Sequence, residues 1–394
     1  MENNLIELEH ELIFQTYKRL QIIVNKAVGC RIFDINGNSY LDFLGGIAVN
    51  ALGHSHPKII AAAKAQIDRY MHVSNYFYQD SQIKLAEKIR EITGFKKIFF
   101  TNSGTESIDG AIKLVRKWAS DKDKKEIISF QGGFHGRTYG ALSLMDKPLY
   151  KDGMGPYLDG IKILPFNDIG VLEYKIDENT AAVFLEFIQG EGGVVEADKD
   201  FIDEIFRLKA KYNFLVVADE IQTGIGRTGK FCAYEYYNIM PDIITLAKGI
   251  GGGMPLGAIL ANEELSNVFE KGMHGTTYGG NAVACATGLV VLEELQNGLL
   301  SKVNSVSLYL HNQLHKLLNE FPKLILELRG KGLMQALVLA FDASKLVNLL
   351  LDKRIISNAT SGNILRIVPP LIVSEIEVDE FILGVNDCLS NIHN

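Results

Sequence analysis

The middle of the chain, from about residue 96 to residue 261, alternates short apolar, β-rich runs with amphipathic or loop segments. This alternation is typical of a parallel sheet covered by helices. The runs are almost continuously apolar, as expected for strands that are buried on both faces. The predicted strands are Lys97–Thr101, Glu126–Phe130, Ala182–Phe187, Phe214–Ala218, Ile243–Leu246 and Leu256–Leu260.

Helical spacing of apolar residues appears between these runs and again after Gly280. The pattern therefore predicts an α/β protein with one large domain over residues 56–299. The flanking residues, 1–55 and 300–394, are expected to form a smaller domain together. The predicted helices are Glu106–Ala119, Phe201–Tyr212, Asn281–Leu295 and Lys302–Phe321.

Length and composition agree with a two-domain enzyme, because 394 residues with 47% apolar side chains exceed what one simple core needs. The formal charge of −7 leaves no basic excess for a phosphate backbone, so nucleic acid is not an expected partner. The acidic amino terminus does not resemble a signal peptide. We expect no membrane helix, since even Leu289–Leu300 is interrupted by Glu293 and Glu294, and we expect a cytoplasmic protein.

The cysteine and histidine positions do not predict a metal site. Cys30, Cys232, Cys285 and Cys388 are scattered without a CxxC pair, which favours ordinary free thiols. The segment from His54 to Pro57 is interpreted as a turn at the start of a helix.

Polar residues follow the predicted strands, and in an open parallel sheet ligands bind beyond the carboxyl ends of the strands. After the first strand, Ser103, Gly104 and Thr105 lead directly into a helix. A helix N-terminus offers free N–H groups and a positive dipole end, so this turn is a candidate phosphate site. The alternative is a plain helix cap at Ser103 with Glu106 in the first turn.

The second strand is followed by a glycine-rich loop that contains Phe134 and Arg137. A flat cofactor would stack on the phenyl ring. The guanidinium of Arg137 would bind a substrate carboxylate through two parallel hydrogen bonds. The alternatives are a core phenylalanine and a solvated arginine.

Asp219 directly follows the fourth predicted strand, and a carboxylate at that position needs a partner. A protonated pyridine nitrogen is one possibility, because the carboxylate would keep that nitrogen charged. A helix cap or an ion pair with an arginine is the other. Lys248 directly follows the fifth strand in a glycine-rich turn, where burial and nearby cations would lower its pKa and free the amine to attack an aldehyde.

The segment from Gly224 to Lys230 nearly matches a nucleotide-binding loop and defines an alternative of another class, an ATPase. Two features oppose it. Phe231 stands where a Ser or Thr would bind magnesium, and Asp219 and Gln222 intervene between the strand and the first glycine.

Taken together, these residues resemble the class III, ornithine aminotransferase-like, pyridoxal-phosphate-dependent aminotransferases along nearly the whole chain. Within that family the chain looks most like the N-acetylornithine aminotransferases, although Phe187 and Ala282-Val283 depart from the usual Pro and Pro-Leu. The motifs that carry the family resemblance are Gly53–Pro57, Asp219–Gly229, Pro241-Asp242, Leu246–Gly253 and Leu365-Arg366, and those of the subgroup are Ser74–Tyr78, Asn102–Glu106, Phe134–Thr138 and His274–Asn281.

The resemblance implies fold type I of the pyridoxal phosphate (PLP) transferases. This fold has a large domain with a mostly parallel seven-stranded sheet between helices and a smaller α+β domain. Lys248 would hold PLP as a Schiff base and move the proton, and Asp219 would pair with the pyridine nitrogen. The other implied cofactor contacts are Gln222 to the ring hydroxyl, Phe134 to the ring face, Ser103, Gly104 and Thr105 to the phosphate, and Thr277 to the phosphate of a partner subunit.

For the substrate, the resemblance implies that Arg137 binds the α-carboxylate of acetylornithine and later the distal carboxylate of glutamate. Arg366 would bind the α-carboxylate of glutamate and pair with Glu191 when the other substrate is present. Thr276 would touch the substrate, and the enzyme would be a homodimer with shared active sites.

The implied reaction transfers the terminal amino group of N²-acetyl-L-ornithine to 2-oxoglutarate, a step of arginine biosynthesis. N-succinylornithine, ornithine and 4-aminobutyrate remain alternative donors, because such pockets distinguish acyl groups by a few side chains. A catalytically silent protein of this fold and other PLP chemistries are further alternatives. The presence of Lys248, Asp219 and Arg137 opposes the first, and Arg137 with Glu191 and Arg366 favours transamination.

Overall fold

The computed structural model describes residues 2–393. The strands are β1 Val24–Val28, β2 Arg31–Asp34, β3 Ser39–Asp42, β4 Lys97–Thr101, β5 Glu126–Phe130, β6 Ile161–Leu164, β7 Thr180–Leu185, β8 Ile188–Gln189, β9 Val195–Glu196, β10 Leu215–Asp219, β11 Ile243–Leu246, β12 Gly257–Ala261, β13 Ile325–Lys331, β14 Met334–Leu339, β15 Ile355–Ile356, β16 Asn358–Thr360 and β17 Ile364–Ile367.

The α-helices alternate with these strands. They are α1 Glu2–Leu12, α2 Gly45–Ala48, α3 Pro57–Arg69, α4 Asp80–Thr93, α5 Gly104–Ala119, α6 Tyr139–Ser143, α7 Pro148–Lys151, α8 Ile169–Lys175, α9 Lys199–Tyr212, α10 Ala282–Glu294, α11 Leu300–Glu320, α12 Ala343–Asp352 and α13 Glu375–His393. Short 3-10 helices cover Ala233–Tyr237 and Lys248–Gly251, and a π-helical turn, Leu295–Leu299, joins α10 to α11.

The central sheet has seven strands in the order β4-β12-β11-β10-β7-β5-β6, and only β12 runs antiparallel to its neighbours. The predicted mostly parallel seven-stranded sheet is therefore confirmed. Strand β6 lacks the continuous apolar run of the others because it lies at the sheet edge, half-buried and containing Lys162. For this reason the apolar pattern did not predict it.

The third predicted strand, Ala182–Phe187, is shifted, because β7 ends at Leu185. Glu186 leaves the strand to accept hydrogen bonds from the backbone amides of Phe134 (2.8 Å) and Gly190 (3.2 Å). The end of β7 is thus set by contacts to a loop that follows a different strand.

The run Ala282–Glu320 is long and apolar enough, by length and composition, to cross a membrane. The sequence predicts no such window, because Glu293 and Glu294 interrupt the apolar stretch. The apolar composition follows from packing, because α10 lies against α3 and α4 and buries residues such as Cys285, Gly288 and Val291. A core helix passes the same test of composition.

The two ends of the chain meet in one four-stranded sheet, in which β15 pairs in parallel with β3. Phe43 also stacks on Phe381 of α13, with ring centroids 4.1 Å apart. A second four-stranded sheet, β13-β14-β17-β16, carries Arg366 on β17. These contacts support a smaller unit made from both ends, although the division at residues 55/56 and 299/300 stays a prediction.

Candidate active site

A cavity of about 440 Å³ opens beyond the carboxyl ends of β4, β5, β10 and β11. Its walls include eight residues predicted from the sequence. They are Ser103, Gly104, Thr105, Phe134, Arg137, Asp219, Gln222 and Lys248.

One end of the cavity is the N-terminus of α5. Ser103 caps this helix, because its hydroxyl accepts a hydrogen bond from the Glu106 amide (3.4 Å). Ser103 is therefore a helix cap, as the alternative interpretation predicted. The amides of Gly104 and Thr105 nevertheless lie in the first turn, where no carbonyl of the helix can accept their hydrogen bonds. The Thr105 hydroxyl accepts hydrogen bonds from the backbone amides of Arg137 and Thr138 (both 3.1 Å), so it connects this turn to the glycine-rich loop.

Lys248 lies one residue beyond β11, adopts a left-handed backbone conformation (φ +48°) and lines the cavity. Burial, together with the charge of Arg366, lowers the pKa of the amine to about 8, against the opposing effects of Glu191 and Asp219. A substantial fraction of the amine is therefore neutral near physiological pH, as a nucleophile requires.

Asp219 is buried, and the nearest partner of its carboxylate is His135, with Nδ1 of the imidazole 2.7 Å from Oδ2. The other oxygen accepts the amide of Ile221 (3.1 Å). Burial alone would favour a neutral imidazole, but the hydrogen bond and charge of Asp219 raise the pKa of His135. His135 has no role predicted from the sequence, although its place next to Phe134 in the loop is a usable signal.

Glu186 also lines the cavity, and its buried carboxylate accepts the two loop amides described above. Burial and the nearby charge of Asp219 raise its pKa to about 7, while His135 opposes the shift. The inner wall therefore holds two carboxylates and one imidazole, and each of them is hydrogen-bonded.

Arg366 and Glu191 form an ion pair that lies behind Gln222 and is not part of the cavity wall. Arg366 is 1% exposed and also donates to the side-chain oxygens of Gln222 (3.2 Å) and Asn358 (3.3 Å). Burial would raise the pKa of Glu191, but Arg366 outweighs it and the pKa is lowered. The pairing implied by the resemblance is thus present in the structure.

Thr276 and Thr277 do not line the cavity of their own chain. The hydroxyl of Thr276 accepts a hydrogen bond from the side-chain amide of Asn102 (3.1 Å), which does line it. Thr277 is exposed.

The segment from Gly224 to Lys230 forms a series of turns, and the next element is the short 3-10 helix that begins at Ala233. Its buried Arg227 donates to the carbonyls of Leu333 (3.0 Å) and Pro369 (2.5 Å). A helix that opens directly from the loop, as a nucleotide-binding loop requires, does not follow Lys230.

Comparisons with known proteins agree on one family. A model of the class III aminotransferases matches residues 13–389. The chain is 44% identical over 393 residues to an acetylornithine aminotransferase of Caldanaerobacter subterraneus subsp. tengcongensis, covering 98% of this chain and 100% of that protein. It is 41% identical to one of Methanocaldococcus jannaschii, covering 99% of each.

Solved structures show the same likeness. An ornithine aminotransferase from Toxoplasma gondii matches with a TM-score of 0.95 and 30% identity, covering 100% of this chain and 95% of that one. An acetylornithine aminotransferase from Elizabethkingia anophelis matches with a TM-score of 0.89 and 32% identity, covering 99% of each. The chain belongs to the class III aminotransferases, with the type I fold of PLP-dependent enzymes, and the comparisons do not favour the ATPase alternative.

Proposed function

We propose that this aminotransferase moves the terminal amino group of N²-acetyl-L-ornithine to 2-oxoglutarate, giving N-acetylglutamate 5-semialdehyde and glutamate in arginine biosynthesis. The names of the relatives described above support this substrate. The observation that carries the proposal is the ion pair between buried Arg366 and Glu191 next to Gln222.

The pair matters because the two half-reactions use different substrates. Glutamate carries a carboxylate on the carbon that bears its reacting amine, whereas the reacting terminal carbon of acetylornithine carries none. A buried guanidinium left unpaired in one half-reaction would be costly. Glu191 therefore pairs with Arg366 while acetylornithine is bound and leaves it for the α-carboxylate of glutamate, whereas Arg137 binds a carboxylate of either substrate.

The donor set of the cavity fits PLP. The amides at Ser103, Gly104 and Thr105 are suited to the phosphate. Asp219, held by His135, is suited to a protonated pyridine nitrogen. We assign Gln222 to the ring hydroxyl and Phe134 to the ring face. When bound, PLP supplies an electron sink for the carbanion that forms on the substrate.

Lys248 has the central role in this proposal. Its lowered pKa leaves part of the amine neutral, so that Nζ can attack the cofactor aldehyde. With PLP bound, Lys248 would hold the cofactor through Nζ, and during the reaction Nζ would accept and return the proton of the substrate carbon.

We also propose a homodimer in which Thr277 reaches the phosphate of the partner subunit and Thr276 the substrate. Thr277 is exposed and lies outside the cavity of its own chain. Nearby, Asn75 donates to the Thr276 carbonyl (3.2 Å), and the adjoining Tyr76 and Tyr78 are 94% and 100% exposed. An exposed aromatic surface of this kind is typical of an interface.

The shared site can be tested by mixing two inactive variants, Lys248→Ala and Thr277→Asp. Random exchange of equal amounts would make about half of the dimers mixed, and each mixed dimer would contain one intact site of its two, so activity should rise toward about a quarter of the wild-type value. If the mixture stays inactive after subunit exchange has been verified, the active site is not shared between subunits in this way. We further propose a cytoplasmic location, which cell fractionation would check.

The reaction is tested by following the absorbance of the bound cofactor. Acetylornithine, N-succinylornithine, ornithine and 4-aminobutyrate are added separately, and 2-oxoglutarate follows. Acetylornithine should bleach the band fastest and 2-oxoglutarate should restore it, whereas Lys248→Ala should show neither change. Faster bleaching by another donor would replace the proposed substrate within the same family.

The substrate switch has its own test in Glu191→Gln. Removing this charge should weaken the acetylornithine half-reaction relative to the glutamate half-reaction by about tenfold, a difference of about 1.4 kcal/mol. Equal changes in both half-reactions would contradict the switch.

A further inference from the structure

Arg137 is held by aromatic rings and by no acid. Its guanidinium carbon lies 3.6 Å from the centroid of the Tyr150 ring and 5.7 Å from that of Phe134. The two rings meet edge-on, with centroids 6.1 Å apart and planes at 88°. Within residues 2–393, Arg137 forms no ion pair with a carboxylate.

Tyr150 lies on α7, and its position is secured by polar contacts on both sides. The Tyr157 hydroxyl donates to the Lys151 carbonyl (2.5 Å), and the Lys151 amine donates to the Met145 carbonyl (2.7 Å). Before the helix, the Asp146 carboxylate accepts the amide of Gly132 (3.2 Å) in the glycine-rich loop. The short segment that carries Tyr150 is therefore anchored to the loop that carries Arg137.

An aromatic face attracts a guanidinium without neutralising its charge. The N–H groups at the edge of the guanidinium stay free to bind a carboxylate through two parallel hydrogen bonds. A carboxylate partner would instead compete with the substrate. The amine of Lys147 lies 4.9 Å from the centroid of the same ring, so two cations share Tyr150.

We propose that Tyr150 is a positioning residue that holds Arg137 for a substrate carboxylate, and that Lys147 adds a second positive charge to this subsite. The inference rests on the proposed function and deepens it. It assigns the selectivity for carboxylate-bearing substrates to Lys147 and Tyr150 as well as to Arg137.

Tyr150→Phe and Tyr150→Leu separate the ring from its hydroxyl. The readouts for the holoenzyme are KM for 2-oxoglutarate and Ki for glutarate, a dicarboxylate without a reacting group. Loss of a cation–π contact of about 1–2 kcal/mol should raise both constants about five- to thirtyfold in Tyr150→Leu. Tyr150→Phe should stay within about twofold, since the hydroxyl takes no part.

Two controls isolate this effect from general damage. Hydroxylamine attacks the bound cofactor but has no carboxylate, so its reaction rate should not change in Tyr150→Leu. Tyr174→Leu removes an exposed tyrosine on α8 whose ring also contacts a lysine amine, that of Lys175, and should leave both constants unchanged. If Tyr150→Leu does not fold, Tyr150→Met supplies a similar volume without a ring.

Lys147→Gln should raise Ki for glutarate by a smaller factor, and the difference from wild type should shrink at high salt because Lys147 is exposed. An unchanged Ki in Tyr150→Leu, or an equal change in the hydroxylamine rate, would overturn the proposal. If the proposed function is wrong, the wild-type enzyme will not react with acetylornithine. The comparison of Ki for glutarate between wild type and Tyr150→Leu would still test the role of Tyr150.

Discussion

Arg366 and Arg137 are both assigned to substrate carboxylates, but the protein surrounds them differently. Arg366 is 1% exposed and is held by Glu191, Gln222 and Asn358. Arg137 is exposed and rests on Tyr150. A buried cation requires a compensating partner, and an exposed one does not. The charge of the buried arginine is therefore compensated by Glu191 when no substrate carboxylate is bound, whereas the charge of the exposed arginine is not compensated by an acid.

The same contrast extends to the rest of the cavity. On the inner wall, Asp219 is paired with His135 and is secluded from solvent. At the opposite end, the amides of Gly104 and Thr105 remain open to an anion. The charged groups of the inner wall are therefore paired with each other, whereas the amides of Gly104 and Thr105 at the opposite end are available to bind an anionic ligand.

The largest expected effect comes from His135→Leu, which leaves the Asp219 carboxylate buried without its partner. We expect the free energy of unfolding of the cofactor-free protein to fall by about 3–5 kcal/mol, measured by urea denaturation. His135→Asn, which can still donate a hydrogen bond, should lose less. His315→Leu on the exposed face of α11 is the control, and an equal loss there would contradict the prediction.

Arg366→Leu should have the next largest effect, because it leaves Glu191 without its cation. We expect a loss of about 3 kcal/mol in the free energy of unfolding and a selective loss of the glutamate half-reaction. Arg329→Leu breaks a half-buried arginine–glutamate pair on β13, in which the glutamate is exposed, and should cost less than about 1 kcal/mol. Equal losses in the free energy of unfolding for the two variants would contradict the idea that burial makes the Arg366 pair more important for stability.

Arg137→Leu should reverse this pattern, with little change in stability and a large change in substrate binding. The free energy of unfolding should change by less than about 0.5 kcal/mol. The KM for either substrate should rise about thirtyfold, because a charge-assisted hydrogen bond worth about 2 kcal/mol is lost. Arg116→Leu on α5 is the matched control. A large loss of stability in Arg137→Leu would show that Arg137 is structural.

The smallest expected effect is a change in the pH dependence of cofactor capture. Only the neutral Lys248 amine attacks an aldehyde, so the rate of PLP binding to the cofactor-free protein should rise with pH and level off above about 8. Arg366 lowers the pKa of Lys248, so Arg366→Leu should move this profile to higher pH. Stopped-flow absorbance measures it, and Arg329→Leu should leave it unchanged.

Much of this site was predictable because local patterns identify the ends of buried strands. Lys248 follows the buried strand Ile243–Leu246 after one residue, and Asp219 ends another buried strand. The resemblance also implied the pairing of Arg366 with Glu191. The contact between His135 and Asp219 was not predicted, because the two residues are 84 positions apart and neither sequence neighbourhood specifies the other.

The sequence by itself determined which residues follow β4, β5, β10 and β11, because turn chemistry is a local property, whereas the end of β7 depends on the contacts of Glu186 to a distant loop. It also identified the family through motifs spread along nearly the whole chain. Only the tertiary structure decided the place of β6 at the sheet edge, the antiparallel direction of β12, and the partners of each charged group. Those features depend on which distant segments pack together, and so Tyr150 under Arg137 and His135 beside Asp219 emerged only from the folded chain.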